Sequence, residues 1–153
     1  MKKKVNIRIL DKRFGKEFFL PKYFTDGSSG MDLRACIDKE INLNPNETVL
    51  ISTGVSIDIS DQKISGLILP RSGLSHKYGI ILSNTIGLID SDYQGPIMIS
   101  MLNRSNKNFL ISIGDRIAQI IFVPLIQIEW NIVNKFVKIT NRKDMGFGHS
   151  GKN

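Results

Sequence analysis

The stretch that decides the fold class is residues 48–59, which have the sequence TVLISTGVSIDI. From Val49 to Ile59 apolar residues occupy every second position, with Thr53 at the gap. A period of two places alternate side chains on opposite faces of an extended chain, and β-branched residues favour that conformation. The same alternation recurs at Val5, Ile7 and Ile9, at Ile97, Ile99 and Met101, and at Phe109, Ile111 and Ile113. Each of these segments is predicted to form a half-buried β-strand.

Turn residues separate these segments at short intervals. Gly, Asn, Asp, Ser and Pro cluster at residues 26–30, 44–46, 103–106 and 114–115. Sustained helical periodicity is missing, and only a short helical turn fits Gly73 to Tyr78, with another near Asp61. Many short strands separated by turns are typical of sandwiches and barrels. We therefore expect an all-β fold, a jelly-roll-like β-sandwich or barrel.

Composition sets the broad class of the protein. The 153 residues are 41% hydrophobic and 23% charged, as in one soluble globular domain. The longest apolar run, residues 120–126, is too short to span a membrane. Polar residues soon after Met1–Lys4 argue against a secretory signal. Cys36 is the only cysteine, which excludes an intrachain disulfide, so we expect a cytoplasmic protein.

The net charge of +7 suggests a polyanionic partner such as a nucleotide, a nucleic acid or a membrane surface. The alternative is a chain that is simply rich in Lys, Asn and Ile. No basic run exceeds three residues and none alternates with aromatic residues, so charge alone does not distinguish these interpretations.

The first candidate site is a polar turn, residues 70–75, with the sequence PRSGLS. Arg71 offers a guanidinium group, Ser72 offers a hydroxyl, and Gly73 allows another group to approach the backbone closely. Successive backbone N–H groups in such a turn form an anion-binding concavity. The alternative is an ordinary surface turn with a solvated arginine.

The second candidate is residues 84–98, where two apolar arms flank a polar tip, which predicts a β-hairpin. Asp90 lies beside Ile89 and Tyr93, so we expect a partly desolvated carboxylate that accepts a proton from water. The alternative is a turn aspartate that bonds nearby N–H groups, which is the simpler interpretation for Asp92.

Two polar residues interrupt other apolar segments. Gln119, within residues 114–122, needs hydrogen-bond partners if it is buried, and a satisfied core amide is the simpler interpretation. Asp32, within residues 30–35, either neutralises an arginine or approaches a metal. His76 and His149 have no ligand-spaced companion, which argues against a zinc site.

The tail, residues 141–151, is polar and rich in glycine, with one aromatic residue, Phe147. A frayed terminus is the default for such a segment. A single Phe between glycines also suits a flexible arm that closes over a flat ligand.

Together these segments resemble the five ordered motifs of the trimeric dUTP pyrophosphatases (dUTPases), and the bacterial type is most similar. The resemblance extends from Lys4 to Gly151. The five matching motifs are residues 30–35, 70–75, 87–95, 114–122 and 142–151. Each motif is weak alone, but five in order at this spacing are highly specific.

The resemblance implies a jelly-roll homotrimer that hydrolyses dUTP to dUMP and pyrophosphate with Mg²⁺. Asp90 matches the catalytic acid that orients the attacking water, and Asp32 matches an acid that reaches Mg²⁺ through water. The residues that match substrate contacts are Arg71, Ser72, Gly73, Asn84, Leu88, Ile89, Tyr93, Met98, Gln119, Arg142, Phe147 and Gly148.

Within that set, the resemblance assigns each part of dUTP to a different group. Asn84 and backbone groups around Leu88 and Met98 match the uracil-binding hairpin, and Tyr93 matches the ring under deoxyribose that excludes a 2′-hydroxyl. Phosphate contacts match Arg71, Ser72, Gly73 and Gln119, with Arg142 at the γ-phosphate and Phe147 as a lid over the base.

The resemblance further implies that residues 1–140 form the core and residues 141–153 a mobile arm, with active sites shared between subunits. It implies no nucleic-acid or membrane partner. Lys143 and Met145 stand where the family usually has glycine, which bears on arm closure. Two alternatives remain: a dCTP deaminase of the same fold, and a basic module that binds nucleic acid without catalysis.

Overall fold

The structure, a computed structural model, describes residues 3–137 and residue 140. The elements in chain order are β1 (Asn6–Ile9), β2 (Met31–Arg34), β3 (Ile41–Leu43), β4 (Thr48–Asp58), β5 (Ile64–Pro70), α1 (Ser72–Tyr78), β6 (Ile80–Leu82), β7 (Gly87–Ile89), β8 (Pro96–Asn103), β9 (Phe109–Ile111) and β10 (Arg116–Pro124). The all-β prediction is confirmed, and so is the short helical turn expected between Gly73 and Tyr78.

The strands form two four-stranded sheets, ordered β1-β4-β8-β6 and β2-β10-β5-β7, and a small β3-β9 pair. One apolar cluster joins side chains from both large sheets, for example Ile51 and Ile99 from the first and Leu33 and Ile120 from the second. Over the described residues the sheets stay separate, so the fold is a β-sandwich and not a closed barrel.

The central strand β8 shows why period-two alternation predicted the core. Ile97, Ile99 and Met101 are each 1% exposed, while the residues between them lie nearer the surface. Complete burial of such a side chain contributes roughly 1.5–3 kcal/mol relative to leaving it in water. The alternating strands therefore supply the inner face of the sandwich.

The gap at Thr53 in the deciding stretch corresponds to an irregularity in β4. Its pairing with β8 shifts register between Ser52 and Ser56, and Gly54 has a φ of 70°. A Cβ atom at Gly54 would lie 2.6 Å from Cys36 Sγ, so glycine is required both by conformation and by space. The buried Thr53 hydroxyl donates to the Ile97 carbonyl oxygen at 2.8 Å.

The half-burial expected for the first alternating segment is wrong for the single chain. β1 lies at the edge of its sheet, and Ile7 and Ile9 are 42% and 41% exposed. A second apolar segment follows β10, where Ile126, Trp130 and Ile132 are all highly exposed. Both apolar segments are therefore exposed in the single chain.

No helix in the described residues is long and apolar enough to cross a membrane.

Candidate active site

An ion-paired group, which we call the arginine cluster, contains Asp32, Arg71, Arg116 and Gln119. Asp32 Oδ1 lies 2.9 Å from Arg71 Nε, and Arg116 Nη1 donates to Asp32 Oδ2 at 3.1 Å. Arg71 Nη1 also donates to the Arg116 carbonyl oxygen at 3.1 Å. Strand pairing brings these groups together, because β10 lies between β2 and β5. Of the two interpretations of Asp32, the structure contains the arginine pairing.

Gln119 completes the cluster from β10. Its amide is half-buried, and Nε2 donates to the Pro70 carbonyl oxygen at 3.0 Å. Gly30 makes room for it, since a Cβ atom there would lie 2.8 Å from Gln119 Oε1. The amide nitrogen thus has a backbone partner, and this bond holds the end of β5 at the point where the Arg71 turn begins.

Ser72 and Gly73 lie at the start of α1 with exposed side-chain positions. No heavy atom comes within 4 Å of the position that a Gly73 Cβ would take. The turn beside the arginine cluster therefore leaves its backbone open to a ligand. The helix ends at Tyr78, and the next residue, Gly79, provides the left-handed C-cap with a φ of 70°.

A second group of predicted residues surrounds a cavity of about 240 Å³, which we call the small cleft. Its lining residues are Ile68, Asn84, Gly87, Leu88, Ile89, Asp90, Tyr93, Pro96, Ile97 and Met98. All six hairpin residues that the sequence nominated therefore line one cavity. Its volume lies below the usual range for drug-sized ligands, so it suits a small ligand.

The hairpin predicted for residues 84–98 is corrected by the strand pairing. β7 pairs with β5, whereas β8 pairs with β4 and β6, so the two arms belong to different sheets. The arms diverge, and the small cleft lies between them. Thr85, near its entrance, has a φ of 64°, an unusual conformation for a β-branched residue.

Asp90 is exposed in the single chain, so the expected partial desolvation is wrong there. Ile89 points into the core at 8% exposure, and the Tyr93 hydroxyl is engaged by the Pro96 carbonyl oxygen at 2.9 Å. Neither neighbour covers the carboxylate. Asp90 is consequently open to water on one side of the small cleft.

Asp90 also lines a larger cavity of about 780 Å³ with Asp58, Asp92 and several Ser and Gln side chains. Hydrogen bonds from the Ser60 hydroxyl and the Asn6 amide lower the pKa of Asp58, which favours its charged form. The larger cavity is therefore acidic, unlike the surroundings of Arg71.

Arg71 and Asp90 lie at opposite ends of β5. Ile89 is paired with Gly66, which places Asp90 near Ser65, whereas Arg71 follows Pro70. The six residue steps from position 65 to position 71 span about 20 Å at roughly 3.3 Å per step. One chain therefore does not bring Arg71 and Asp90 together.

Two contributors to these regions are not predicted by the sequence motifs alone, and three predicted residues lie outside the described part of the chain. Arg116 is one of the two contributors, because its ion pair with Asp32 depends on pairing between strands distant in sequence. Gly95 contacts the Tyr93 ring, which only side-chain packing reveals. Arg142, Phe147 and Gly148 fall outside the described residues.

Comparison with known proteins gives the family. A sequence model described as dUTPase matches residues 16–151. The chain belongs to the dUTPase family. It is 59% identical over 150 residues to the deoxyuridine 5′-triphosphate nucleotidohydrolase of Haemophilus influenzae strain Rd, covering 98% of this chain and 99% of the relative. The corresponding protein of Histophilus somni strain 2336 has the same identity and coverage.

Solved dUTPase structures share the fold. The Staphylococcus bacteriophage 80alpha dUTPase with dUpNHpp has a TM-score of 0.81 at 24% identity, covering 98% of this chain and 99% of that one. A mutant dUTPase from phage phi11 of S. aureus, described with a structural Mg(II) ion, has a TM-score of 0.77 at 22% identity, covering 89% and 100%. At these identities the likeness concerns the fold.

Proposed function

We propose that the chain hydrolyses dUTP to dUMP and pyrophosphate, with Asp90 orienting a water for attack on the α-phosphorus. The observation that carries the proposal is the small cleft, which gathers Asn84, Tyr93 and Asp90 around a cavity of about 240 Å³. A carboxylate open to water beside a nucleoside-binding cleft suits a base that accepts a proton from the nucleophile. The family relationship supports the same reaction.

The divergence of the two arms favours recognition of a flat base through backbone groups. β8 pairs with β6 only from Met101 onward, so the backbone around Met98 is left on that side for a ligand. Asn84 and the backbone near Leu88 face the same cleft. Uracil is bound there by the edge that differs from cytosine, and Tyr93 packs under deoxyribose.

The arginine cluster binds the phosphates in this proposal. Arg71 is already oriented by Asp32 and by the Arg116 carbonyl oxygen, so little conformational freedom remains to be lost on binding. Ser72, Gly73 and Gln119 add polar contacts beside it. Phosphoryl transfer depends mainly on positioning and charge neutralisation, so this cluster and one carboxylate form a sufficient set.

The residues fit Mg²⁺ held with the substrate. In residues 3–137 and 140 no three acidic, His or Cys side chains form a metal cage. Mg²⁺ generally binds through one or two carboxylates, waters and substrate phosphates. A carboxylate accepts about four hydrogen bonds and Asp32 has two such partners, which leaves capacity for metal-bound waters. Bound Mg²⁺ would neutralise phosphate charge.

We infer a homotrimer whose active sites are shared between subunits. Arg71 and Asp90 of one chain lie about 20 Å apart along β5, too far to contact one triphosphate together. Exposed apolar residues at Ile126, Trp130 and Ile132, and at the β1 edge, offer surface for subunit contact. The acidic cavity beside Asp90 offers charge complementarity for a neighbour's arginines.

The proposal also divides the chain into a core, residues 1–140, and an arm, residues 141–153, that closes over the site. In this arm we propose that Arg142 contacts the γ-phosphate and Phe147 covers the base, with Gly148 as a further substrate contact. The substrate is a nucleotide, and no nucleic acid or membrane takes part. We propose a cytoplasmic location.

Release of pyrophosphate from dUTP in the presence of Mg²⁺ tests the function directly. We expect pyrophosphate and dUMP from dUTP, with dCTP and UTP hydrolysed far more slowly. Ammonia release from dCTP would instead indicate a deaminase, and binding of oligonucleotide without turnover would indicate a nucleic-acid module. Either result, without dUTP hydrolysis, would overturn the proposal.

A further inference from the structure

Tyr93 is held by two hydrogen bonds, one from its backbone and one from its side-chain hydroxyl. Its backbone N–H donates to the Asp90 carbonyl oxygen at 3.2 Å, which closes the turn that contains Asp90. Its hydroxyl donates to the Pro96 carbonyl oxygen at 2.9 Å. The first bond fixes the backbone of Tyr93 and the second fixes the far end of its ring, and Tyr93 lines the small cleft.

Gly95 allows the ring to lie directly against the backbone. A Cβ atom at Gly95 would lie 2.5 Å from Tyr93 Oη, 2.7 Å from Cζ and 3.0 Å from Cε2. Gly95 is not among the glycines with positive φ, so an alanine could adopt its backbone conformation. The need for glycine at this position is therefore the space taken by the ring.

We propose that Gly95 and the Pro96 carbonyl are positioning groups that set discrimination between deoxyribose and ribose, by fixing the Tyr93 ring. This rests on the proposed function, in which Tyr93 packs under the sugar. A 2′-hydroxyl differs from a hydrogen by one added oxygen atom, so the opposing wall excludes it only if the wall does not retreat by about the space that this atom needs. A ring whose hydroxyl is bonded to the Pro96 carbonyl and whose edge rests on the Gly95 backbone meets that requirement.

Two substitutions change how the Tyr93 ring is held without removing the ring. In Gly95→Ala the ring remains but has to tilt away from the new methyl group. In Tyr93→Phe the ring remains in place but loses its bond to Pro96. Both variants keep the aromatic surface, so a change in sugar selectivity reports where the ring lies.

The experiment measures kcat and KM for dUTP and UTP in the full-length protein. We expect Gly95→Ala to lower the ratio of kcat/KM for dUTP over UTP by roughly 10–100-fold, since pockets discriminate single small groups by that order. Tyr93→Phe should lower the ratio less, by roughly two- to tenfold, as expected for one neutral hydrogen bond. Gly27→Ala is the matched control, because no heavy atom lies within 4 Å of its Cβ position.

The Tm of each variant shows whether the fold is intact, so that a change in selectivity with an unchanged Tm reports a shifted ring. A folded Gly95→Ala protein whose ratio stays within twofold of wild type would overturn the inference. If Gly95→Ala does not fold, Tyr93→Phe decides it, and an unchanged ratio there overturns it. A wild-type protein that fails to release pyrophosphate from dUTP would overturn the proposed function, and the inference with it.

Discussion

The arginine cluster and the small cleft differ in how far their polar groups are already satisfied. In the cluster, Arg71, Arg116 and Gln119 all bond to protein oxygen atoms. In the cleft, Asp90 is exposed and the two arms diverge. A prearranged set of cations suits binding of charged phosphates, whereas an open carboxylate suits activation of water. The arginine cluster thus has the properties of a binding region and Asp90 those of a catalytic group, and Arg71 and Asp90 lie at opposite ends of β5.

The largest effect is expected from removing the acid of the small cleft. Asp90→Asn keeps the shape of the side chain but lowers its basicity, so kcat for dUTP should fall by roughly 10²–10⁴. Binding of dUpNHpp, measured by calorimetry, should change little because the substitution leaves the cleft's shape intact.

Asp92→Asn is the matched control for that variant. Asp92 lies two residues away and does not line the small cleft. We expect it to retain most of the wild-type kcat. Wild-type turnover by Asp90→Asn, or an equal loss in both variants, would contradict the assignment of Asp90.

The next largest effect is expected when one variant disables the arginine cluster, another disables Asp90, and the two are mixed. Arg71→Ala and Asp90→Asn should each be nearly inactive alone. Refolded together in equal amounts, they should recover about a quarter of wild-type activity, because in a randomly mixed form of the proposed trimer about one site in four pairs an intact Arg71 with a neighbour's intact Asp90.

Native mass spectrometry should confirm that mixed trimers form before activity is compared. Each variant refolded alone is the control. Mixed trimers without recovered activity would show that both residues act from the same chain, which contradicts the shared site.

A smaller effect is expected from Arg116→Ala. The substitution removes the guanidinium that bonds to Asp32, but it keeps the backbone carbonyl that orients Arg71. Arg116 is 44% exposed, so we expect KM for dUTP to rise only two- to fivefold, roughly the effect of an exposed ion pair. Steady-state kinetics should show an unchanged kcat, and Arg104→Ala should change neither constant. A large fall in kcat would place Arg116 in the chemistry instead.

The smallest effect is expected from Gly30→Ala. The added methyl group has to displace the end of the Gln119 side chain, which is flexible, so the free energy of unfolding should change by about 1 kcal/mol or less. KM for dUTP should rise about twofold as the bond to Pro70 weakens. Gly27→Ala again serves as the control. A lost melting transition in Gly30→Ala would show that the position supports the fold.

The strands were predictable where alternation was long enough to see. β4 and β8 follow segments in which apolar residues recur at every second position, and their inner residues are buried as expected. β3 and β6 have only three residues each, which is too short for a period to be recognised. The predicted half-burial of β1 was wrong because β1 is an edge strand. The burial of an edge strand depends on what packs against it, and the local alternation of residues does not specify that.

The candidate site was predictable in its members but not in its arrangement. The motifs nominated Asp32, Arg71, Asn84, Asp90 and Gln119, and the described structure divides them between two regions. Local alternation suggested that the two arms around Asp90 pair with one another, but β7 pairs with β5 and β8 pairs with β4. Strand pairing is set by tertiary packing, so neighbouring arms in sequence need not be neighbours in a ladder.

The sequence alone therefore determined the all-β class, the buried faces of the long strands, and the family, because these depend on residue type and local spacing. Only the tertiary structure decided that Asp32 pairs with both Arg71 and Arg116, that the Tyr93 ring rests on Gly95, and that Asp90 lies about 20 Å from Arg71. Those facts depend on which distant strands meet and in what register. Pairing between strands far apart in the chain is the quantity that no local pattern specifies.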